Sequence, residues 1–196
     1  IDERKKMQLA HEEITERLKI TTETAQIGIW DYDLVNNELT WDKEMYRIFD
    51  VNENEFSGVF EAWSNTIHQD DKKRILIATQ KAIEGTKDFD EEFRIKLNDG
   101  SLRYIKGLSK TIKDINGKPI KMTGANWDIS ELRSAELKLA RSTKSFSETF
   151  EHSAIGMALV NPDLRWLKIN KSLSYSLGYS ESELLKMKAT DITHPE

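Results

Sequence analysis

The chain of 196 residues is 38% hydrophobic and 32% charged, with a net charge of −5 and no cysteine. That composition excludes a disulfide framework, a thiolate nucleophile and a cysteine-ligated metal. The interspersed charges argue against nucleic acid, which calls for a basic face, and the longest apolar stretch, residues 155–160, is far short of a membrane span.

Residues 1–21 are rich in Glu, Lys, Arg and Leu and lack Gly and Pro, which predicts a helix. Its apolar stripe, Met7, Ala10, Ile14 and Leu18, is narrow. Residues 27–34 switch to a strand pattern, Asn36-Asn37 makes a turn, and residues 38–41 read as the second strand of a hairpin. Asp42 is placed to cap a short helix carrying Met45, Ile48 and Phe49. A polar stretch and a short amphipathic piece with Phe60, Trp63 and Ile67 follow. A longer helix then starts at Asp70 or Asp71, with Ile75, Ala78, Ala82 and Ile83 on one face and Gly85 at its end. Three strands come next, over 89–95, 102–112 and 120–129, separated by the turn signals Asn98-Asp99-Gly100 and Asn116-Gly117. The order is β-β-α-α-α-β-β-β, an α+β unit of ordinary domain size. After Ser130 a second Gly- and Pro-free helix runs to about His152. Along it Ile129, Leu132, Glu136, Leu139, Thr143, Phe146 and Phe150 step by three and four residues, as a coiled-coil seam would.

The chain also repeats. Shifted by 128 positions, residues 1–28 fall on residues 129–156 without a gap, with eight identities. A period this long indicates an array of whole domains rather than a solenoid. The expected organisation is a linker helix (1–21), a complete unit (22–130), a connector helix (131–152) and the first half of a second unit (153–196), all part of a longer protein. With only two strands in that half, residues 155–160 are expected to present an unpaired apolar edge. They would be ordered by borrowed contacts, most simply from another copy of the chain.

Several words of the sequence stand in a telling order: Trp30-Asp31-Tyr32-Asp33, Leu39-Thr40-Trp41, Ile67-His68-Gln69-Asp70-Asp71, Glu92-Phe93-Arg94, Asn98-Asp99-Gly100 and Trp127-Asp128-Ile129-Ser130-Glu131. In that order and spacing they resemble a PAS sensory domain with its C-terminal PAC segment. Phe150-Glu151-His152-Ser153, Asn170 and Leu177-Gly178-Tyr179-Ser180 resemble the first half of the same family again. The resemblance implies a five-stranded antiparallel sheet, order 2-1-5-4-3, with helices on one face and flanking linker helices. It implies a sensory or interaction module whose output lies elsewhere, foremost in a multi-PAS sensor histidine kinase of a two-component system. The alternatives are a ligand-free dimerisation spacer and the sensor module of a cyclic-dinucleotide signalling enzyme. Such a module is cytoplasmic, whether or not the longer protein is attached to a membrane. Gln69 stands where the family commonly has Pro, and Tyr104 where it commonly has Trp.

No catalytic or metal site emerges. A flavin-binding version of the family forms its adduct on a cysteine, and a haem-binding version uses a histidine on the long helix; residues 70–85 contain no His and the chain no Cys. The cofactor line therefore stays open, with haem and cysteinyl-flavin photochemistry disfavoured. His68 and His194, equivalent in the repeat, read as helix-entry residues. His152 is followed by Ser153-Ala154-Ile155-Gly156 instead of a phosphoacceptor box. His11-Glu12-Glu13-Ile14-Thr15 lacks the second His of a zinc helix. Asp50 to Glu61 has calcium-loop spacing, but Glu55 stands where the loop needs Gly. Glu91 and Glu92 alternate across a strand and cannot converge on a substrate. Trp30, Tyr32, Phe93 and Asn126 are the candidate pocket residues for a small-molecule ligand. Asp128, Ile129 and Ser130 are the candidate relay where sheet passes into helix, with Lys106 or Arg103 as basic partner; Asp128 as a plain helix cap is the alternative. The two helical stripes predict a homodimer, with no nucleic acid and no membrane contact in this segment.

Overall fold

A computed structural model describes residues 3–192, so His194, read as a helix-entry residue like its repeat equivalent His68, lies outside the described residues. The chain divides after Arg133 into two compact units. The first begins with helix α1 (Glu3–Thr24), followed by strands β1 (Gly28–Asp33) and β2 (Glu38–Trp41). Helices α2 (Lys43–Phe49), α3 (Phe60–Ser64) and α4 (Gln69–Glu84) come next, then β3 (Phe89–Lys96), β4 (Leu102–Lys113) and β5 (Pro119–Asp128). Helix α5 (Ser130–His152) starts in the first unit and ends in the second. The five strands form one antiparallel sheet in the order β2-β1-β5-β4-β3, as the resemblance implied. No described helix is long and apolar enough to cross a membrane.

Local chemistry accounts for the punctuation. Asp33 Oδ1 accepts from the amides of Val35 and Asn36, closing the first hairpin. Asp99 and Asp114 do the same for the next two turns, with Gly100 and Gly117 at positive φ, where a side chain would be strained. Asp42 caps α2 through Met45 N at 2.8 Å, and its other oxygen accepts from Ile29 N at 2.9 Å, tying the helix to β1.

The start of α4 differs from expectation. The N-cap is His68, whose Nδ1 accepts from Asp70 N, so the helix opens at Gln69. Asp70 and Asp71 lie in the first turn, where negative charge suits the helix dipole. Asp71 faces Arg94 on β3, taking its backbone amide, Nε and Nη2 at 2.9 Å each. On the inner face of α4 the buried residues are Ile75, Thr79 and Ala82. Thr79, absent from the predicted stripe, is tolerated there because its hydroxyl donates to Ile75 O; Ala78 and Ile83 pack partly buried beside it. The Asp50–Glu61 stretch becomes the left-handed C-cap of α2, a 3-10 turn at Glu53–Glu55 and the start of α3.

In the second unit, β6 (Ala158–Val160) pairs only with β7 (Trp166–Ile169), followed by α6 (Lys171–Leu177) and α7 (Glu181–Leu184). The strand is shorter than the predicted 155–160. Ile155 precedes it, 74% exposed, because Asn170 Nδ2 holds the Ile155 carbonyl and Asn170 Oδ1 the Met157 amide in a turn. The predicted seam of α5 is also interrupted: Ile129 and Phe150 are buried, leaving Leu132, Leu139 and Phe146 exposed between them.

The Arg94 guanidinium holds the Asp71 carboxyl down at about 2, against an ordinary value of 3.8. A depressed carboxylate contributes stability that is complete above about pH 4 and lost as pH falls toward 2. Asp71→Asn should therefore cost on the order of 1–2 kcal/mol at neutral pH after solvent screening, and flatten the acid limb between pH ~4 and ~2, as read by urea denaturation across pH.

Candidate functional site: an aromatic cavity and the sheet-to-helix junction

Alternation puts Gly28, Trp30 and Tyr32 on the inner face of β1, and register sets Trp30 opposite Trp41 on one side and Gly124 on the other. A cavity of about 30 Å³ lies over this face. Its walls are Trp30 and Tyr32 from β1, Leu39 and Trp41 from β2, Met45 from α2, Phe60 and Trp63 from α3, Thr79 from α4, Phe89 from β3, and Met122 and Asn126 from β5. The aromatic rings support one another: Tyr32 stacks on Phe60 at 5.4 Å, Phe60 meets Trp63 at 5.2 Å, and Trp41 stacks on Phe56 at 4.0 Å. Burial, with Glu61 nearby, pushes the Tyr32 phenol above its usual value; its hydroxyl donates to Asn37 Oδ1 at 2.8 Å.

Two glycines make room for these side chains. A Cβ on Gly124 would sit 2.6 Å from Trp30 Cε2 and 2.5 Å from Leu108 O. A Cβ on Gly107 would sit 2.9 Å from Asn126 Oδ1 and 3.1 Å from Phe89 Cε1. Glycine inside a strand is the sequence signal that such close approach leaves. Asn126 is 2% exposed, and its Oδ1 accepts from Trp30 Nε1 at 3.2 Å. Trp41 Nε1 and Ser109 Oγ are buried with no hydrogen-bond partner.

Of the four predicted pocket residues, the structure brings Trp30, Tyr32 and Asn126 together. Phe93 is a correction: it is core, edge-on to Trp63 and Phe89, and does not line the cavity. It opposes Ile105, and through it Asp128, at the far end of the sheet. Phe89, opposite Ser109 and level with Gly124, supplies the wall instead.

At the junction, Asp128 does two things at once. Its Oδ1 accepts from Ser130 N at 2.8 Å, at the start of α5, and its Oδ2 pairs with Arg103 Nε at 3.1 Å. Ser130 Oγ accepts from Tyr104 N, Ile129 N donates to Tyr104 O, and the Ile129 side chain is buried. Lys106, the other partner considered, pairs with Asp90 and Glu92 on β3. Arg103 Nη1 also donates to the carbonyls of Arg47, at 3.0 Å, and Ile48 at the C-terminal end of α2. The helix that carries Met45 into the cavity wall is thus joined through one guanidinium to the start of α5. Arg133, in the first turns of α5, pairs with Glu92, a contact that spacing alone did not suggest.

A family model for the PAS fold matches residues 38–126, the stretch that builds this cup. The domain built on the five-stranded sheet has the PAS fold. The chain is similar, at 21% identity over 194 residues, to the probable diguanylate cyclase DgcE of Escherichia coli, across 99% of the chain but 17% of that protein. It is 24% identical over 164 residues to the blue-light-activated histidine kinase of Brucella anthropi, across 83% of the chain and 33% of that protein. The chain therefore spans a third or less of these relatives. Among solved structures, a sensory box histidine kinase/response regulator from Burkholderia thailandensis matches with a TM-score of 0.58 at 22% identity, covering 67% of this chain and 98% of that one. The N-terminal domain of a diguanylate cyclase with PAS/PAC sensor from Marinobacter aquaeolei matches at 0.51 and 17% identity, covering 55% and 98%. At these identities the likeness shows the fold.

Because Trp30 lies against Gly124 with backbone behind it, Gly124→Ala should overpack the cup. The expected loss is about 1–3 kcal/mol in urea denaturation, together with altered tryptophan fluorescence.

Proposed function

We propose that this PAS domain is the sensory module of a multidomain cytoplasmic signalling protein, foremost a sensor histidine kinase. It relays a change at the cavity through α5 to an output beyond the chain. The observation that carries this reading is the Arg103 bridge, which connects the cavity-wall helix α2 to Asp128 and hence to the start of α5. A cyclic-dinucleotide enzyme as the longer protein is the second reading, favoured by the similarity to DgcE over nearly the whole chain. The cavity occupant is neither haem ligated by a histidine from α4 nor a flavin adducted to cysteine, since the chain supplies neither residue there.

Pairing of two copies through their helices is part of this reading, and exposed apolar stripes support it. No residue of α1 is buried, and Met7, Ile14 and Leu18 are 59% or more exposed; Leu132 and Leu139 on α5 are 58% and 70% exposed. These stripes form the homodimer contact in our reading. A ligand-free spacer would use the same contact without any cavity-dependent change.

The relay is tested by Asp128→Asn, which keeps the bond to Ser130 N and removes the charge opposite Arg103. Amide exchange over residues 130–136 should accelerate several-fold. Lys121→Ala, which breaks the Lys121–Asp31 pair elsewhere on the sheet, should leave it unchanged. Identical exchange in both variants would leave the spacer reading standing. For the pairing, Leu132→Glu combined with Leu139→Glu should convert a dimer to a monomer in light scattering; a monomeric parent, or a dimer indifferent to the change, would remove the homodimer.

A further inference from the structure

The start of α5 has a second fastening, on a strand that β5 does not touch. Arg133, one turn into the helix, donates its amide to Ile129 O and pairs through its guanidinium with Glu92 on edge strand β3. That carboxylate is shared. Register sets Lys106 of β4 directly opposite Glu92, and Lys106 Nζ lies 3.9 Å from Glu92 Oε1 while Arg133 Nη2 takes Oε2. Lys106 in turn pairs with Asp90, two residues before Glu92 and on the same face of β3. Two carboxylates and two cations thus stand in a row, Asp90–Lys106–Glu92–Arg133, and only the last of them belongs to α5.

Breaking an ion pair ordinarily leaves a carboxylate without its cation. In this row it does not. The lysine stem is flexible and its ammonium is a point charge, so a rotation carries it from Asp90 to Glu92 with no movement of the backbone. Asp90, with its side chain 58% exposed, is then left to water. While both cations share Glu92 they also repel one another. Each effect lowers the cost of freeing Arg133.

We propose that Glu92 is a positioning residue for α5 that exchanges partners: it holds Arg133 when the first turns of the helix are docked and Lys106 when they are released. Lys106 is thereby the release element, and it weakens the docked state instead of bracing it. This deepens the sensory reading above and rests on it, since the exchange supplies α5 with two discrete arrangements for a signal to choose between. The pair is partly exposed, and pairs of that kind are weak, so a small bias at the sheet is enough to move the balance.

The test is amide exchange over residues 130–136 in the full chain, taken relative to β5 amides in the same sample so that a change in global stability is removed. Glu92→Gln should accelerate it about two- to fourfold, as suits a partly exposed pair. Lys106→Met keeps the aliphatic stem and removes the rival charge; it should slow exchange by a similar factor. Lys110→Met, which removes a cation paired with Asp88 from the same face of β4, should change nothing. In the Glu92→Gln background the slowing by Lys106→Met should disappear, because Lys106 acts through Glu92. Acceleration or no change in Lys106→Met, or a slowing that survives Glu92→Gln, would overturn the proposal and leave Glu92–Arg133 as a static brace. The sensory reading fails separately: slowing by Lys106→Met beside an Asp128→Asn variant that exchanges like the parent would remove the relay through Arg103 and keep the partner exchange at Glu92.

Discussion

The pairing of β1 with β5 is the contact on which the first unit depends. Residues 28–33 must find residues 121–126, some ninety positions later, before β1 has neighbours on both sides. Closing so long a loop costs chain entropy that only the completed sheet returns. Once the register sets Trp30 opposite Gly124 and Gly28 opposite Asn126, much else follows. Trp30 can pack closely against Gly124, its indole reaches Asn126, and the inner face keeps a small cavity within its apolar core. Helices α2 to α4, inserted between β2 and β3, then close over that face.

The same strand, β5, carries the cavity and the exit. Asn126 and Asp128 point to one face two residues apart, the first into the cavity wall and the second to Arg103 and Ser130. The Asp128–Arg103 pair is partly solvent-exposed, and pairs of that kind are worth little in stability. A weak contact suits a coupling element better than a strong one, because a modest change at α2 can compete with it. The Asp71–Arg94 clamp, on edge strand β3 in the neighbouring register row, is the contrasting case: three hydrogen bonds, a depressed carboxyl and a fixed helix α4.

The second unit reproduces one detail of the first with a chemical difference. Asn170, 128 positions after Asp42, accepts from Met157 N and Leu173 N as Asp42 accepts from Ile29 N and Met45 N. A carboxylate can only accept, whereas the amide also donates, to Phe150 O and Ile155 O. Lys168 adds to this hold, 3.4 Å from Glu151 and 4.9 Å from the centre of the Phe150 ring. The last turn of α5 is thereby fastened to β7, while α1 enters the first unit with no buried residue at all.

The amino-acid sequence by itself determined the elements, their order and their punctuation. Strand alternation, the Asn-Gly and Asp-Gly turns, the Asp42 cap and the Gly- and Pro-free helices are local, and local chemistry is written in neighbouring residues. The ordered PAS words carried the sheet order with them. Alternation also placed Trp30, Tyr32 and Asn126 on inner faces. What it left open was which inner-face residues meet, because that depends on register between strands far apart in sequence. Register moved the cavity wall from Phe93 to Phe89, and it chose Arg103 over Lys106: Asp128 opposes Ile105, whose same-face neighbours are Arg103 and Gly107, while Lys106 opposes Trp127 on the other face. The burial of Thr79, the room left by Gly107 and Gly124, and the direction in which the Asn126 amide points were likewise decided only in the tertiary structure, where each is set by an atom supplied from another element.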